Sequence, residues 1–156
     1  MVVKRISAQE TRPLRQQVLR PHQRAEELIY PGDDDPDALH LGAYEGDRLV
    51  GILSACREMP ETGEPHAWRL RGMATLPDVR GAGYGGKLLR AAIGYVATQG
   101  CTYLWCNART PVIGFYEHYD FERRGEEFEP PHIGPHYFVW RTVTPEDARW
   151  ISELDA

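Results

Sequence analysis

At 156 residues the chain is most simply one domain, long enough to bury a sizeable core. Apolar residues make up 42% and charged residues 26%, the balance of an ordinary soluble globular protein. A net charge of −5 with no Lys/Arg-rich run argues against a nucleic-acid or anionic-membrane partner.

No apolar run approaches transmembrane length, and residues 1–7 lack the apolar stretch of a signal peptide. Cys56, Cys101 and Cys106 have neither metal-site nor CxxC spacing, which predicts reduced thiols in a cytoplasm and no metal site.

In chain order, residues 2–6 predict a short first strand. A helix is expected to begin at Thr11-Arg12-Pro13-Leu14, capped near Glu10 or Thr11, with Pro13 in its first turn and Leu14, Val18 and Leu19 on its apolar face. A second short helix is expected over residues 24–29. The run Asp33-Asp34-Asp35-Pro36-Asp37 reads as a solvated loop, since it lacks the glycine and distal glutamate of a calcium loop. Residues 39–44 alternate in polarity, and Glu45-Gly46-Asp47 is a hairpin turn signal leading to a buried strand over 49–56. After a Pro/Gly loop at 59–65, residues 68–75 alternate again, with Gly72 as a bulge.

Leu88, Leu89, Ala92, Ile93 and Val96 mark one face of a helix ending near Gln99-Gly100. Residues 103–106 predict a buried strand, 111–119 a short helix opened by Pro111, and 121–128 and 136–142 two further strands. Thr144-Pro145-Glu146-Asp147 has an N-cap residue, a proline and acidic first-turn residues, so the tail through Leu154 is expected to be helical. The sum is one mixed α/β domain, with antiparallel strands on both sides of a strand–loop–helix unit.

That unit carries the chemistry. Gly81, Ala82, Gly83, Gly85 and Gly86 let the backbone approach a ligand closely, and the helix that follows presents unpaired N–H groups suited to a phosphate. Gly81-x-Gly83-x-x-Gly86 matches a dinucleotide fingerprint, but no acidic residue stands about 20 positions on. Gly81-x-x-x-x-Gly86-Lys87 nearly matches a P-loop, but Leu88 replaces the Ser or Thr that binds magnesium.

Arg80-Gly81-Ala82-Gly83-Tyr84-Gly85 fits R/Q-x-x-G-x-G/A, and Phe115-Tyr116-Glu117-His118-Tyr119-Asp120-Phe121 fits F-Y-x-x-x-G-F except that Asp120 replaces glycine. On these two motifs and the element order, the chain resembles the GNAT family of N-acetyltransferases. Gly125-Glu126-Glu127-Phe128 and Ile133-Gly134-Pro135-His136 are similar to an uncharacterised bacterial subgroup of it.

The resemblance implies a single-domain α/β fold. A mixed, mostly antiparallel sheet of about seven strands would be flanked by helices and splayed between strands 68–75 and 103–108. Residues 1–143 would form the acetyltransferase domain, and 144–156 a helical tail of the same domain. Acetyl-CoA would be the cofactor, with the backbone from Gly81 through Ala82, Gly83, Tyr84 and Gly85 to Gly86 on its pyrophosphate and Arg80 and Lys87 assisting. Ala74 and Thr75 would pair with the pantetheine amides as an added strand does, and the Met73 N–H would polarise the acetyl carbonyl. Asn107 and Arg109 would end their strand near the cofactor arm. Tyr116 would be the general acid for the departing thiolate.

The general base is open. Many relatives carry a glutamate where this chain has Arg69, and residues 68–75 hold no carboxylate. His136 leads the candidates, with Glu127, Glu64, His66 or a water chain behind it. The acceptor is expected to be a small-molecule or peptide primary amine, attacked directly in a ternary complex. Acidic residues near 33–37 and 126–129 hint at a cationic one, and a solvated surface explains them as well. The missing strand glutamate keeps a second reading in play, a non-catalytic acyl-CoA-binding or sensing domain. A homodimer is compatible with either.

Overall fold

The structure is a computed structural model that describes residues 1–155. Its seven strands are β1 (Val2–Arg5), β2 (Leu39–Glu45), β3 (Arg48–Arg57), β4 (Ala67–Thr75), β5 (Tyr103–Arg109), β6 (Glu122–Phe128) and β7 (His136–Thr142). They form one sheet in the order β1-β2-β3-β4-β5-β7-β6. Neighbours are antiparallel except β4 and β5, whose parallel pairing requires the crossover through α2 (Tyr84–Thr98). The expected seven-stranded mixed sheet is therefore the one observed.

Helix α2 buries one stripe on the sheet. Leu88, Leu89, Ile93 and Val96 are fully enclosed, each worth about 1.5–3 kcal/mol relative to exposure. Gly94 sits under the tail, where an added Cβ would stand 2.3 Å from the Ile151 backbone nitrogen. The tail is a 3-10 helix, Pro145–Glu153, opened by a Thr144/Asp147 capping box. Beyond it, Asp155 ties Lys87 of α2 (2.8 Å) to the Val3 N–H of β1 (3.0 Å).

The first helix, α1 (Ala8–Leu14), starts earlier than expected. Its cap is Ser7, whose Oγ accepts from the Glu10 N–H at 3.1 Å while Glu10 accepts from the Ser7 N–H at 2.9 Å. This reciprocal pair outcompetes Thr11, whose hydroxyl instead donates back to the Ala8 carbonyl at 2.6 Å. Pro13 thus falls in the last turn, and the chain continues as one π-helical turn, Arg15–Leu19. The second helix shrinks to a single 3-10 turn, Ala25–Glu27.

The acidic loop also differs from expectation. Asp34 and Asp35 are solvated, but Asp33 is buried and binds Arg15, itself fully buried, through both oxygens at 2.7 and 3.0 Å. Arg15 further donates to the Leu28 carbonyl (2.9 Å) and to Ser54 Oγ on β3 (3.1 Å), while His40 bridges Ser54 and the Asp33 carbonyl. The network clamps the π-helical turn and the loop at residues 28–33 onto β2 and β3.

Burial works to raise the Asp33 carboxyl, but the bonds from Arg15 and the Tyr30 N–H override it and hold it below the usual carboxylate range. The folded value being depressed, this contribution is present at neutral pH and lost as pH falls through it. Asp33→Asn leaves Arg15 buried without its anion. Urea titration at pH 7 should show a loss of about 3–5 kcal/mol, and a loss under about 1 kcal/mol would mean that the pair is not structural.

Candidate active site

Strand β4 pairs with β5 at only three positions, Ala67–Tyr103, Trp68–Leu104 and Arg69–Trp105. Beyond Arg69 it leaves β5 and keeps only β3. The departure coincides with the bulge expected at Gly72: the β3 register jumps from Ser54–Arg71 to Ile52–Ala74, leaving Gly72 and Met73 opposite Leu53. Gly72 takes φ +66°, and an added Cβ would press on the Tyr30 ring at 3.3 Å. β5 meanwhile stays paired with β7 along its whole length. Between the diverging strands opens a cleft of about 1120 Å³, lined by the outer half of β4, the end of β5, the glycine turn, the helix after β5 and the π-helical turn.

At one end lies the glycine turn. Gly81 and Gly83 hold φ +84° and +94°, conformations that a side chain would strain, and Gly83 caps α2. The first backbone bond of α2 runs from the Lys87 N–H to the Gly83 carbonyl. The N–H groups of Tyr84, Gly85 and Gly86 are therefore the orphan donors of its first turn, where the helix dipole favours an anion. A Cβ on Gly86 would meet the Tyr119 hydroxyl at 2.7 Å, so close packing of α2 also calls for glycine there.

The cleft brings together most of the predicted site residues: Met73, Ala74, Thr75, Arg80, Gly81, Gly83, Tyr84, Gly85, Gly86, Asn107, Arg109, Tyr116 and His136 all line it. Ala82 and Lys87 do not. The Lys87 ammonium is instead held on the far side of α2 by the Met1 carbonyl and Asp155, at 3.0 and 2.8 Å.

Tyr116 belongs to α3 (Ile113–His118), packed edge-on between Phe115 and Phe121. Asp120, at φ +69°, supplies the left-handed turn after this helix that glycine would otherwise provide. Burial, reinforced by the neighbouring Cys106, raises the Tyr116 hydroxyl well above the ordinary phenol range, so it stays protonated. Burial likewise pushes the Cys106 thiol up to about 12.

Among the base candidates only His136 reaches the cleft. Glu127 accepts from Thr110 on the surface, Glu64 is held by Thr62 and Arg124, and His66 is exposed on a loop at φ +55°. His136 faces Arg109 across the β5–β7 ladder and contacts the Gly134 carbonyl through Nδ1 at 2.8 Å. Burial holds it below its usual value, with Arg109 and Arg20 adding to the effect, so it is neutral at pH 7.

Two features escaped the sequence reading. Glu58, just past the end of β3, binds Arg69 (2.8 Å) and Arg71 (3.1 Å), which lie on the cleft wall. The β3–β4 register, with Cys56 opposite Arg69, would have located it. These bonds override the desolvation that would raise Glu58 and hold it low, which makes it a poor base. The second is Arg20, which nothing in its local sequence marks. The acidic stretches do not furnish a cationic-substrate wall: Asp33 binds Arg15, Asp37 binds Arg57, Glu127 binds Thr110, and none of the three lines the cleft.

This architecture is shared with solved acetyltransferases. The chain superposes with a TM-score of 0.74 at 15% identity on Ard1 from Thermoplasma volcanium, covering 91% of this chain and 97% of that one. It superposes with a TM-score of 0.71 at 15% identity on an aminoglycoside 6'-N-acetyltransferase complexed with coenzyme A, covering 93% and 98%. The acetyltransferase (GNAT) family profile matches residues 5–121. An uncharacterized N-acetyltransferase of Bacillus subtilis (strain 168), YitI, is 37% identical over 142 residues, 90% of this chain and 95% of that protein. The chain belongs to the GNAT acetyltransferase family.

The position of His136 carries a direct test. NMR titration of its ring should give a value below 6.5, and Arg109→Gln should raise it by removing a neighbouring cation. A ring titrating above 6.5 in the wild type would place it outside this electrostatic environment.

Proposed function

We propose that the protein is an acetyl-CoA-dependent N-acetyltransferase that acetylates a primary amine, on a small molecule or peptide, by direct attack in a ternary complex. The observation that carries this reading is one continuous cleft in which helix-start donors, an unpaired strand edge, a protonated buried phenol and a neutral imidazole share the walls.

Coenzyme A fits these residues. The orphan N–H groups of Tyr84, Gly85 and Gly86, with Gly81 open to the cleft, suit the pyrophosphate, and the exposed Arg80 adds charge there. The β4 edge at Ala74 and Thr75, released from β5, suits the amides of the pantetheine arm in the manner of an added strand. The Met73 N–H, within the bulge, is the donor assigned to the acetyl carbonyl. Asn107 faces the same slot from β5.

When bound, acetyl-CoA supplies the thioester carbonyl that the amine attacks. His136, neutral at pH 7, is the group assigned to take the amine proton, directly or through water. Tyr116 is the group assigned to protonate the leaving sulfur. Cys106 lines the same wall, but as a thiol pushed up to about 12 it supplies no thiolate for a covalent acyl intermediate. That supports direct transfer. The non-catalytic sensing alternative is not favoured, because a protonated phenol and a neutral imidazole, suited to the proposed acid and base roles, both line the slot. Free cysteines at all three positions agree with a reducing, cytoplasmic setting. Among the described residues no helix is long and apolar enough to cross a membrane.

Tyr116→Phe should lower kcat by about 10²–10⁴-fold while the Kd for CoA, measured calorimetrically, changes little. Unchanged turnover would remove Tyr116 as the acid. Since the deprotonated ring of His136 is the active form, kcat/KM should fall as pH drops through its depressed pKa and level off above about 6.5. A weakly basic amine keeps the acceptor's own titration out of that window. His136→Gln should abolish the limb, and its persistence in that variant would assign the base elsewhere.

A further inference from the structure

Among the described residues five arginines line the cleft, Arg20, Arg69, Arg71, Arg80 and Arg109, and no aspartate or glutamate does. Three of the five are accounted for. Arg69 and Arg71 share Glu58 from behind the wall. Arg80 lies at the glycine turn, donating to the Thr75 carbonyl at 3.3 Å, where the donor's phosphates belong.

Arg20 and Arg109 are left, and they converge. Both donate to the same atom, the Leu19 carbonyl oxygen, Arg20 through Nη1 at 3.0 Å and Arg109 through Nη2 at 3.2 Å. Neither has a carboxylate within salt-bridge distance among the described residues, although nearly every other partly buried arginine on the sheet has one. Two half-buried guanidinium groups drawn onto one neutral oxygen repel each other, and the strain registers on Arg109. Burial first, then Arg20 and Arg80, hold it below its ordinary range. Tyr30 offsets part of that repulsion, but among the described residues no carboxylate does, whereas an anion bridging the pair would replace it with charge-assisted hydrogen bonds. The pair stands on the wall formed by the π-helical turn, with Tyr30, Ile133 and His136 among the lining around it.

We propose that Arg20 and Arg109 form a subsite for an acidic group, a carboxylate or a phosphate, carried by the acceptor amine. The inference rests on the acetyltransferase reading and narrows its acceptor to amines bearing an acid, the opposite of the cationic substrate that the acidic stretches suggested. The subsite also connects to the chemistry. An anion on the two arginines offsets the cations that depress His136, so acceptor binding raises the basicity of the group that takes its proton.

The test uses the wild-type protein and the Arg20→Gln, Arg109→Gln double variant, each saturated with CoA. Inorganic phosphate and propionate are titrated in, following the His136 ring by NMR and the thermal midpoint. In the wild type at least one anion should raise both, and the double variant should need at least ten times more of it. The anion that acts decides between phosphate and carboxylate. With no anion present the variant's thermal midpoint should be no lower than the wild type's, because a repulsion has been removed; a lower one would make the pair a structural element.

Turnover then compares β-alanine with its amide and aminoethyl phosphate with ethanolamine. The acidic member of at least one pair should be favoured tenfold or more in kcat/KM. That preference should collapse in the variant, and because the proposal moves Arg109 from the cofactor arm, where the family resemblance put it, to the acceptor, the KM for acetyl-CoA should stay within about twofold. A CoA complex indifferent to both anions overturns the proposal. So does a variant whose acetyl-CoA KM rises while a phosphate-free acetyl-pantetheine donor is unaffected, since the arginines would then hold the donor. Failure of the wild type to bind CoA sinks the acetyltransferase reading itself, a result read separately from the anion response.

Discussion

The structure depends on one constraint: β4 must abandon β5 after Arg69 without abandoning β3. A parallel pair that ran on would seal the sheet and leave no slot. The bulge at Gly72 and Met73 resolves the conflict, because one extra residue on β4 increases the local twist and turns its free edge outward. Gly72 can hold φ +66° cheaply where a side chain would be strained. The other wall cannot follow, since β5 is fastened to β7 from Tyr103–Thr142 to Arg109–His136. The same ladder that keeps β5 straight therefore sets His136 beside Arg109 at the mouth of the slot.

The third wall has its own anchor. Arg15, fully buried, gathers Asp33, the Leu28 carbonyl and Ser54 around one guanidinium and stacks over Tyr30 at 4.0 Å. A buried ion pair is seldom the most stable solution for a core position, because desolvation offsets much of its attraction. Here it acts between a π-helical turn and a loop that share few regular backbone bonds, so its directional contacts determine where Leu19 and Tyr30 stand. Tyr30 in turn lies directly above Gly72. The bulge and the ion-pair network thus meet at one ring, and the wall that carries Arg20 is held to the free edge of β4.

What was legible in the sequence divides along the same line. Strand alternation, the α2 stripe, the glycine turn and the position of Gly72 are written in local periodicity and correspond to the seven strands observed, whereas the slot between residues 68–75 and 103–108 is implied by the family resemblance. A donor held mainly through backbone groups, as proposed, is signalled directly by a run of glycines. Errors arose where local and distant partners compete. Thr11 and Ser7 are both plausible caps, and Ser7 prevails because Glu10 stands at the reciprocal position. Asp33 sits in an acidic run whose composition suggests solvent, and only Arg15, 18 residues away, draws it inside. Glu58 and Arg20 gain meaning from strand register and from a shared carbonyl oxygen, neither of which is a sequence motif.

Charge then distinguishes the two ends of the cleft. At the glycine turn the positive field comes from a helix start, is fixed in space, and needs only one nearby arginine to suit a pyrophosphate. At the opposite wall it comes from side chains that the fold must hold together against their own repulsion. Arg69 and Arg71 escape this by sharing Glu58, which in turn removes that carboxylate from service as a base by holding it ionised and engaged. Position 69, where many relatives carry a glutamate, thus holds a cation engaged by Glu58, and under the proposed mechanism the proton is taken by a residue on another strand. His136 is the imidazole that the β5–β7 ladder places at the cleft, and burial first, with Arg109 and Arg20 adding to it, keeps it neutral, as the proposed base must be before the amine arrives.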